Sequence, residues 1–381
     1  MRLRLLFIVL FLGSQAMAQL IPFRINNIWG YSDSNMRLKI TLMYDFTDRF
    51  EQGSAFVYKD SLYHLINEIG EKISDQFKAH GQFSNGLCAV VLQNNKCIYI
   101  NHNGKQVFNQ SFDAAEGFSE GLAVVSINKH LKIINTKGDS IPSMTFDTSN
   151  GHFQHGFLMV VKNGKYQFIK RNGKALKLAD SIQVGGLFSE GLAPVYVKKQ
   201  YNSAKQKTPT YYLEFIDTNG NIVLSHFIND SIDYSEYLDI EAGFKNGKAI
   251  VKSRHELGWD YFFLDKKKRF SPLYSAAKQL GDSLFLGAVG LYMSDVRILD
   301  KDFWVVSQFQ QKPLQVGQFQ EGLLAYKNKD GYWGFIDKNG NTVVKAKYTA
   351  VNPFFQNIAL VVYNGRFGFI NTKGQEYFID K

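Results

Sequence analysis

His152 and His155, three residues apart, form the only H-x-x-H spacing in the chain, the kind of pair that can sit on one metal ion. A zinc site needs three or four converging ligands, and no third ligand accompanies this pair in sequence. Polar residues recur more regularly at Gln52, Asn85, Glu120, His155, Glu190, Asn246, Glu321 and Gln356, each two places after a Phe and all but the last just before a Gly. A ring of metal ligands would not exchange amides, imidazole and carboxylates so freely. These residues are therefore read as turn residues whose side chains make a hydrogen bond before the Gly. No Ser-His-Asp arrangement, nucleophile elbow or phosphate-binding Gly loop stands out, because the glycines are locked to turn positions. The expectation is a non-catalytic chain without metal or cofactor.

Basic residues offer the better functional lead. Lys96, Lys129, Lys162, Lys165, Lys252, Arg254, Lys327, Lys329 and Arg366 cluster around one recurrent turn, with few acids beside them (Asp60, Glu256, Asp330). In one copy that turn expands into a run containing Lys198, Lys199, Tyr201, Lys205 and Lys207. Equivalent turns of a repeat array project from one edge, and repeat proteins often bind through the face that carries their insertions. These positions make a candidate basic rim for an anionic polysaccharide, a lipid head group or an acidic protein patch. Nucleic acid is not expected, because the aromatics alternate inward instead of interleaving with the charges.

The elements that hold these residues are tandem repeats. Units begin at Phe50, Phe83, Phe118, Phe153, Phe188, Phe244, Phe319 and Phe354, with a spacing close to 35 residues, and a degenerate copy falls near Phe285. About nine copies fit. After the Phe-x-x-Gly comes a short apolar strand, and then a second strand best seen in Tyr332-Trp333-Gly334-Phe335-Ile336-Asp337. Its Ile position is apolar in every clear copy (Ile66, Ile100, Ile134, Ile169, Ile216, Leu264, Ile336, Ile370), so both faces of this strand must be covered. An Asn or Asp opens the next turn and a Gly closes it, as in Asn371 to Gly374. A third strand completes a three-stranded antiparallel meander that cannot bury its aromatic face without neighbours.

The Trp-Gly-Phe-Ile-Asp core with an upstream Phe-Ser-Glu-Gly-Leu-Ala, clearest in Phe188 to Ala193 and in 319–340, resembles the bacterial WG-repeat family (also called KWG). The resemblance runs from Trp29-Gly30 to the C-terminus and is loose between 265 and 318. It implies a β-repeat fold and brings no reaction with it. The fold class expected is all-β, a propeller-like array of meanders, with an open β superhelix as the alternative and two smaller arrays as a third. The N-terminal half repeat, from Trp29 to about Tyr44, reads as lacking its first strand, and the two ends show no obvious complementarity.

The first eighteen residues read as a secretory signal: Arg2 and Arg4, the apolar run Leu5 to Leu12, then Ala16-Met17-Ala18 before Gln19. That places the mature chain in the periplasm or outside the cell, without a transmembrane segment. Residues 19–49 then form the half repeat, 50–264 the main repeats, 265–318 a degenerate segment and 319–381 two further repeats. Phe and Tyr number 32 and 20, and the formal charge of +10 falls to +8 without Arg2 and Arg4. A basic chain favours anionic partners. The two cysteines, Cys88 and Cys97, lie on a hairpin in which Leu92 is expected to face Cys97 and Cys88 to face Asn101. Sulfurs four residues out of register cannot bridge, so two buried free thiols are expected. The functional expectation is an exported binding or scaffold protein of the cell envelope. The alternative is an envelope enzyme with its site in a central pocket or in 265–318.

Overall fold

The computed structural model describes residues 19–143, 145–199, 210–228, 243–255, 258–266, 274–281, 284–290 and 294–380. The expected export signal, residues 1–18, lies outside them. Ten small sheets follow one another along the described chain, all antiparallel except for one junction. In the usual unit a short strand (Ala114–Ala115) pairs with the first long strand (Leu122–Ile127), which pairs with the second (His130–Asn135) and then with a third (Ser140–Ile141). The segment 265–318 contains such a sheet as well, with strands Ala276–Gly281, Leu284–Val289, Asp295–Leu299 and Val305–Gln308.

The sheets are joined face to face through their inward residues. Ile66, Ile100, Ile134, Ile169, Ile216, Leu264, Ile336 and Ile370 are all buried, as a second strand covered on both faces requires. The Phe that opens each unit is the joint. Phe50 packs on Tyr31, Phe118 on Tyr99, Phe188 on Phe168, Phe244 on Phe215 and Phe354 on Phe335, with ring centroids 4.7–5.1 Å apart. In each pair the second ring belongs to the preceding sheet, so every unit plugs its first aromatic into its neighbour. Aromatic contacts of this kind contribute about 0.5–1.5 kcal/mol each beyond the area they bury.

The array closes. One hydrophobic cluster contains Phe23 and Trp29 of the first sheet, Val57 and Ile66 of the second, and Ile358 and Phe369 of the tenth. Another joins Phe335 of the ninth sheet to Ile370 of the tenth. The closing sheet is shared by the two ends of the chain: Phe378–Ile379 pairs in parallel with Arg24 and Ile25. The N-terminal unit is therefore not short of its first strand, because Ile21–Ile25 supplies it and the C-terminus supplies the short strand beside it. This corrects the reading of uncomplementary ends and removes the open superhelix. A buried charge completes the latch. Arg24, 1 % exposed, donates from Nε to Phe367 O at 2.7 Å and from Nη1 to Asp380. Its guanidinium also lies against the rings of Trp29 and Phe378.

The Gly of Trp-Gly has a steric reason. A Cβ on Gly334 would stand 2.6 Å from Val344 O and 2.7 Å from Ala346 N, and one on Gly30 would stand 2.5 Å from Ile40 O. In both sheets a seven-residue third strand, Thr342–Tyr348 or Leu38–Tyr44, crosses that spot with a register shift. The Asx turns form as read: Asn371 Oδ1 accepts the N–H groups of Lys373 and Gln375, and Gly374 takes φ +79°. The first and eighth sheets break this pattern. Asp33 opens the turn in the first, with Met36 in the Gly place at φ +60°, and Asp300 opens it in the eighth, accepting from Asp302 and Trp304, with Phe303 there at φ +68°. A bulky side chain there costs of order 1–3 kcal/mol.

The cysteines pair in a register one residue from that expected: Val91 faces Cys97 and Cys88 faces Ile100, because the connecting turn is one residue longer on the Cys88 side. Both thiols are free and buried. Burial pushes the Cys88 thiol up to about 12.

Candidate functional site

The Phe-Ser-Glu-Gly turn is a clasp between sheets. Its residues form two-residue hairpins in which the polar third residue and the following Gly both have positive φ, as at Glu190 (+50°) and Gly191 (+81°). That geometry aims the third side chain at the next unit. Glu120 accepts the Gly156 N–H at 2.9 Å, Glu190 that of Gly247 at 2.9 Å, and Glu321 that of Asn357 at 2.8 Å. Asn85 and His155 do the same for Gly121 and Glu190, at 3.3 and 3.4 Å. The Ser donates in parallel, Ser119 to Phe153 O at 2.5 Å and Ser189 to Phe244 O. The hydrogen bond expected within each turn therefore runs to the following one. Any short polar acceptor serves, which is why amides, carboxylates and imidazole interchange. His155 is engaged here, and among the described residues no group of three or more candidate ligands forms a metal site.

The basic rim is less basic than its sequence. Lys96 pairs with Asp113 at 2.7 Å, and Arg366 pairs with Asp380 at 3.1 Å. Asp45, Asp113 and Asp147 also accept the turn N–H groups of Asp60, Lys129 and Asn163. Each of these acids follows an aromatic residue and stands 15–16 residues before the turn N–H it accepts, a recurrence visible in the sequence but not read there. Lys162 and Lys165 end and begin strands around Asn163-Gly164, with Lys165 exposed. Lys198 and Lys199 end the strand Ala193–Lys199, and Lys252 and Arg254 lie within Lys248–His255 instead of in a turn. Tyr201, Lys205 and Lys207 lie outside the described residues. Lys327 stands over the Trp333 ring at 6.0 Å.

Lys329 has a different setting. It lines a cleft of about 580 Å³ between the eighth and ninth sheets, together with Lys312, Gln310, Gln311, Asn339 and Tyr326. No Asp or Glu is among its lining residues. The side chains of Gln310, Gln311 and Asn339 have no partner among the described residues, whereas Gln308 is held by Asp295 at 2.8 Å. Ser307 donates to Lys338 O at 3.0 Å and ties the two walls together. Residues 307–313 belong to the degenerate segment, which is why slot-by-slot reading did not find this wall.

A second concavity, about 450 Å³, lies where the innermost parts of the second, third, ninth and tenth sheets meet, and Asp48, Arg49, Glu51, His80 and Phe355 line it. His80 Nδ1 donates to Gly81 O at 2.8 Å, since a carbonyl can only accept. Its Nε2 then faces Asp48 Oδ2 at 3.4 Å. Burial raises the Asp48 carboxyl, partly offset by His80 and Arg49. His80 stacks on Phe56 at 3.8 Å, and Arg49 lies over Phe355 at 4.6 Å while donating to its carbonyl.

The family model for a WG-containing repeat matches residues 29–63, 99–129, 133–166 and 333–367. Four stretches of this chain are WG repeats. Each matched WG repeat begins on or just after the second strand of one sheet and ends at or near the same strand of the next, so it contributes strands to both. The covalent unit thus bridges two sheets, and the ends of the chain must share one, as they do. Among solved structures, this chain is similar to the crystal structure of the eukaryotic initiation factor. That likeness has a TM-score of 0.51 and 12 % identity, and covers 86 % of this chain and 95 % of that one. The crystal structure of BamB from Moraxella catarrhalis is matched with a TM-score of 0.37 at 11 % identity, over 78 % of this chain and 94 % of that one. At such identity the first likeness concerns the fold alone. No curated protein matches in sequence.

Proposed function

We propose that this is an exported, non-catalytic binding protein of the cell envelope that holds an anionic polymer in the cleft between its eighth and ninth sheets. The observation that carries the reading is the lining of that cleft, Lys329 with the amides of Gln310, Gln311 and Asn339 and no acid among the lining residues. Elsewhere on the rim Lys96 and Arg366 meet carboxylates. Lys327 and Lys329 extend the cleft onto the rim, so the edge expected from sequence contributes through this one place. Export rests on the N-terminal signal alone; among the described residues no helix is long and apolar enough to cross a membrane.

Binding of a fluorescent heparin fragment tests the reading. Lys312→Ala with Lys329→Ala should weaken binding at least tenfold at low salt and flatten its salt dependence, since exposed charges act only within about 10 Å at 0.1 M salt. Unchanged binding by the double variant would remove the cleft from the account. One observation favours an enzyme instead, the carboxylate of Asp48 facing the His80 imidazole at 3.4 Å in the second concavity. Turnover of an envelope polysaccharide that Asp48→Asn abolishes would establish that rival.

A further inference from the structure

We infer that the second concavity, separate from the cleft, binds a small amino-carboxylate with a second amine, a basic amino acid or a close relative of one. Its lining is where the repeat departs from its own pattern. In the two places before the opening Phe, this unit alone among the clear copies carries an acid followed by a base, Asp48-Arg49. The others carry pairs such as Gly81-Gln82, Gly151-His152, Gly317-Gln318 and Asn352-Pro353. Glu51 stands in the place from which Ser119 and Ser189 donate to the next unit, and a carboxylate cannot donate. His80 fills a place held elsewhere by Ala115, Val316 or Val351. The repeat fold requires none of these departures, yet all of them line one space of about 450 Å³. That size suits a small molecule.

The charges are set for a ligand more than for one another. Arg49 lies over the Phe355 ring at 4.6 Å and donates from Nη1 to Phe355 O at 3.1 Å, which fixes its guanidinium and leaves Nε and Nη2 over. Among the described residues no ion pair joins it to Asp48 or Glu51. A guanidinium held in this way receives a carboxylate in two parallel hydrogen bonds. The Asp48 backbone is held on both sides, its N–H donating to Phe56 O at 2.9 Å and its carbonyl accepting from the Tyr31 hydroxyl at 2.8 Å. His80 faces Asp48 Oδ2 at 3.4 Å and leaves Oδ1 without a partner among the described residues. Burial and Glu51 raise the Asp48 carboxyl, while His80 and Arg49 lower it, so these groups share one field. Two carboxylates that repel each other are relieved by a cation between them. Asp48, Glu51 and Arg49 together leave one negative charge, which a ligand with one carboxylate and two ammonium groups complements. A plain anion would be repelled by the two acids, and a plain diamine would leave Arg49 unused.

The test is calorimetry on the full chain with L-lysine, cadaverine and 6-aminohexanoate, the second lacking the carboxylate of the first and the third its α-ammonium. Lysine should bind about tenfold more tightly than either. Arg49→Gln should bring lysine down to the level of cadaverine, and Glu51→Ser should bring it down to that of 6-aminohexanoate. Both substitutions introduce what other units carry at the same place, as at Gln82 and Ser119, so the fold should hold, and a thermal melt beside each titration checks it. Lys329→Ala should leave lysine binding unaltered, because Lys329 lines the other cleft. Lysine binding no tighter than that of cadaverine, binding unchanged by both substitutions, or no heat at millimolar lysine would overturn the site. A loss in the Lys329→Ala variant would overturn its separation from the cleft.

Discussion

Replacing Asp380 by Asn should loosen the ring at its closing sheet. Arg24 is buried and would keep the carbonyl oxygens of Phe367 and Asn26, the faces of two rings and a neutral amide oxygen at 380, with its main counter-charge gone. Removing one partner of a buried ion pair costs about 3–5 kcal/mol when both charges are fully enclosed. Asp380 retains 23 % of its side-chain surface and also meets Arg366, so the lower end applies, and we expect about 2–3 kcal/mol. The hydrogen bond from Arg24, opposed by some burial and aided by Arg366, holds the Asp380 carboxyl below its usual range. A depressed carboxylate stabilises the fold above its unfolded value of about 3.9 and loses that contribution as pH falls through the folded value. The variant and the parent should therefore converge in acid and differ at neutral pH. Urea denaturation across that range, with hydrogen exchange read on Ile21–Ile25, measures both effects. Replacing the pair together by Met and Leu should recover much of the loss. A neutral-pH difference under about 0.5 kcal/mol, the size of an ordinary surface change, with unaltered exchange at Ile21–Ile25, would refute the latch.

Gly334→Ala should destabilise the ninth sheet by about 2–3 kcal/mol through overpacking against Val344 O and Ala346 N, read by thermal melting beside Gly117→Ala, whose Cβ would meet open space without a positive φ. Glu190→Ala should cost about 1–2 kcal/mol, since it removes a charged acceptor for Gly247 N–H and a partner of Lys266. Although burial raises the Glu190 carboxyl, Gly247 and Lys266 outweigh it and hold the group low, so the charge-dependent part of this cost too should be lost as pH falls through the folded value. Cys88 should react with a thiol reagent far more slowly than Cys97 in the folded protein, because burial raises its thiol to about 12; equal rates, or a mass two units low from a disulfide, would contradict the packing.

Much of the fold was legible because its signals are local and repeated. The Ile position marks a strand covered on both faces, and the Asx and Gly pair marks a turn. Closure was not legible, since it depends on pairing Arg24 with residues more than 340 positions away, and a strand carrying Pro22 and Arg24 looks unlike the apolar first strands elsewhere. The clasp was read one unit short, because nothing in a single turn says that φ near +50° directs its side chain outward to the next. The cysteine register slipped by one residue for a similar reason: turn length decides it. The rim was overestimated because the acids that meet its turns, Asp45, Asp113 and Asp147, sit 15–16 residues earlier, before the short strand that opens each unit. The cleft wall 307–313 and the Phe303 substitution lie where the repeat is most worn, so periodicity could not point to them.

Hydrogen exchange of the full chain with and without a heparin fragment tests the central claim most directly. Protection confined to peptides covering 307–313, 326–329 and 339–342 is expected. Protection instead around Asp48, His80 and Phe355, or none anywhere at saturating ligand, would contradict it.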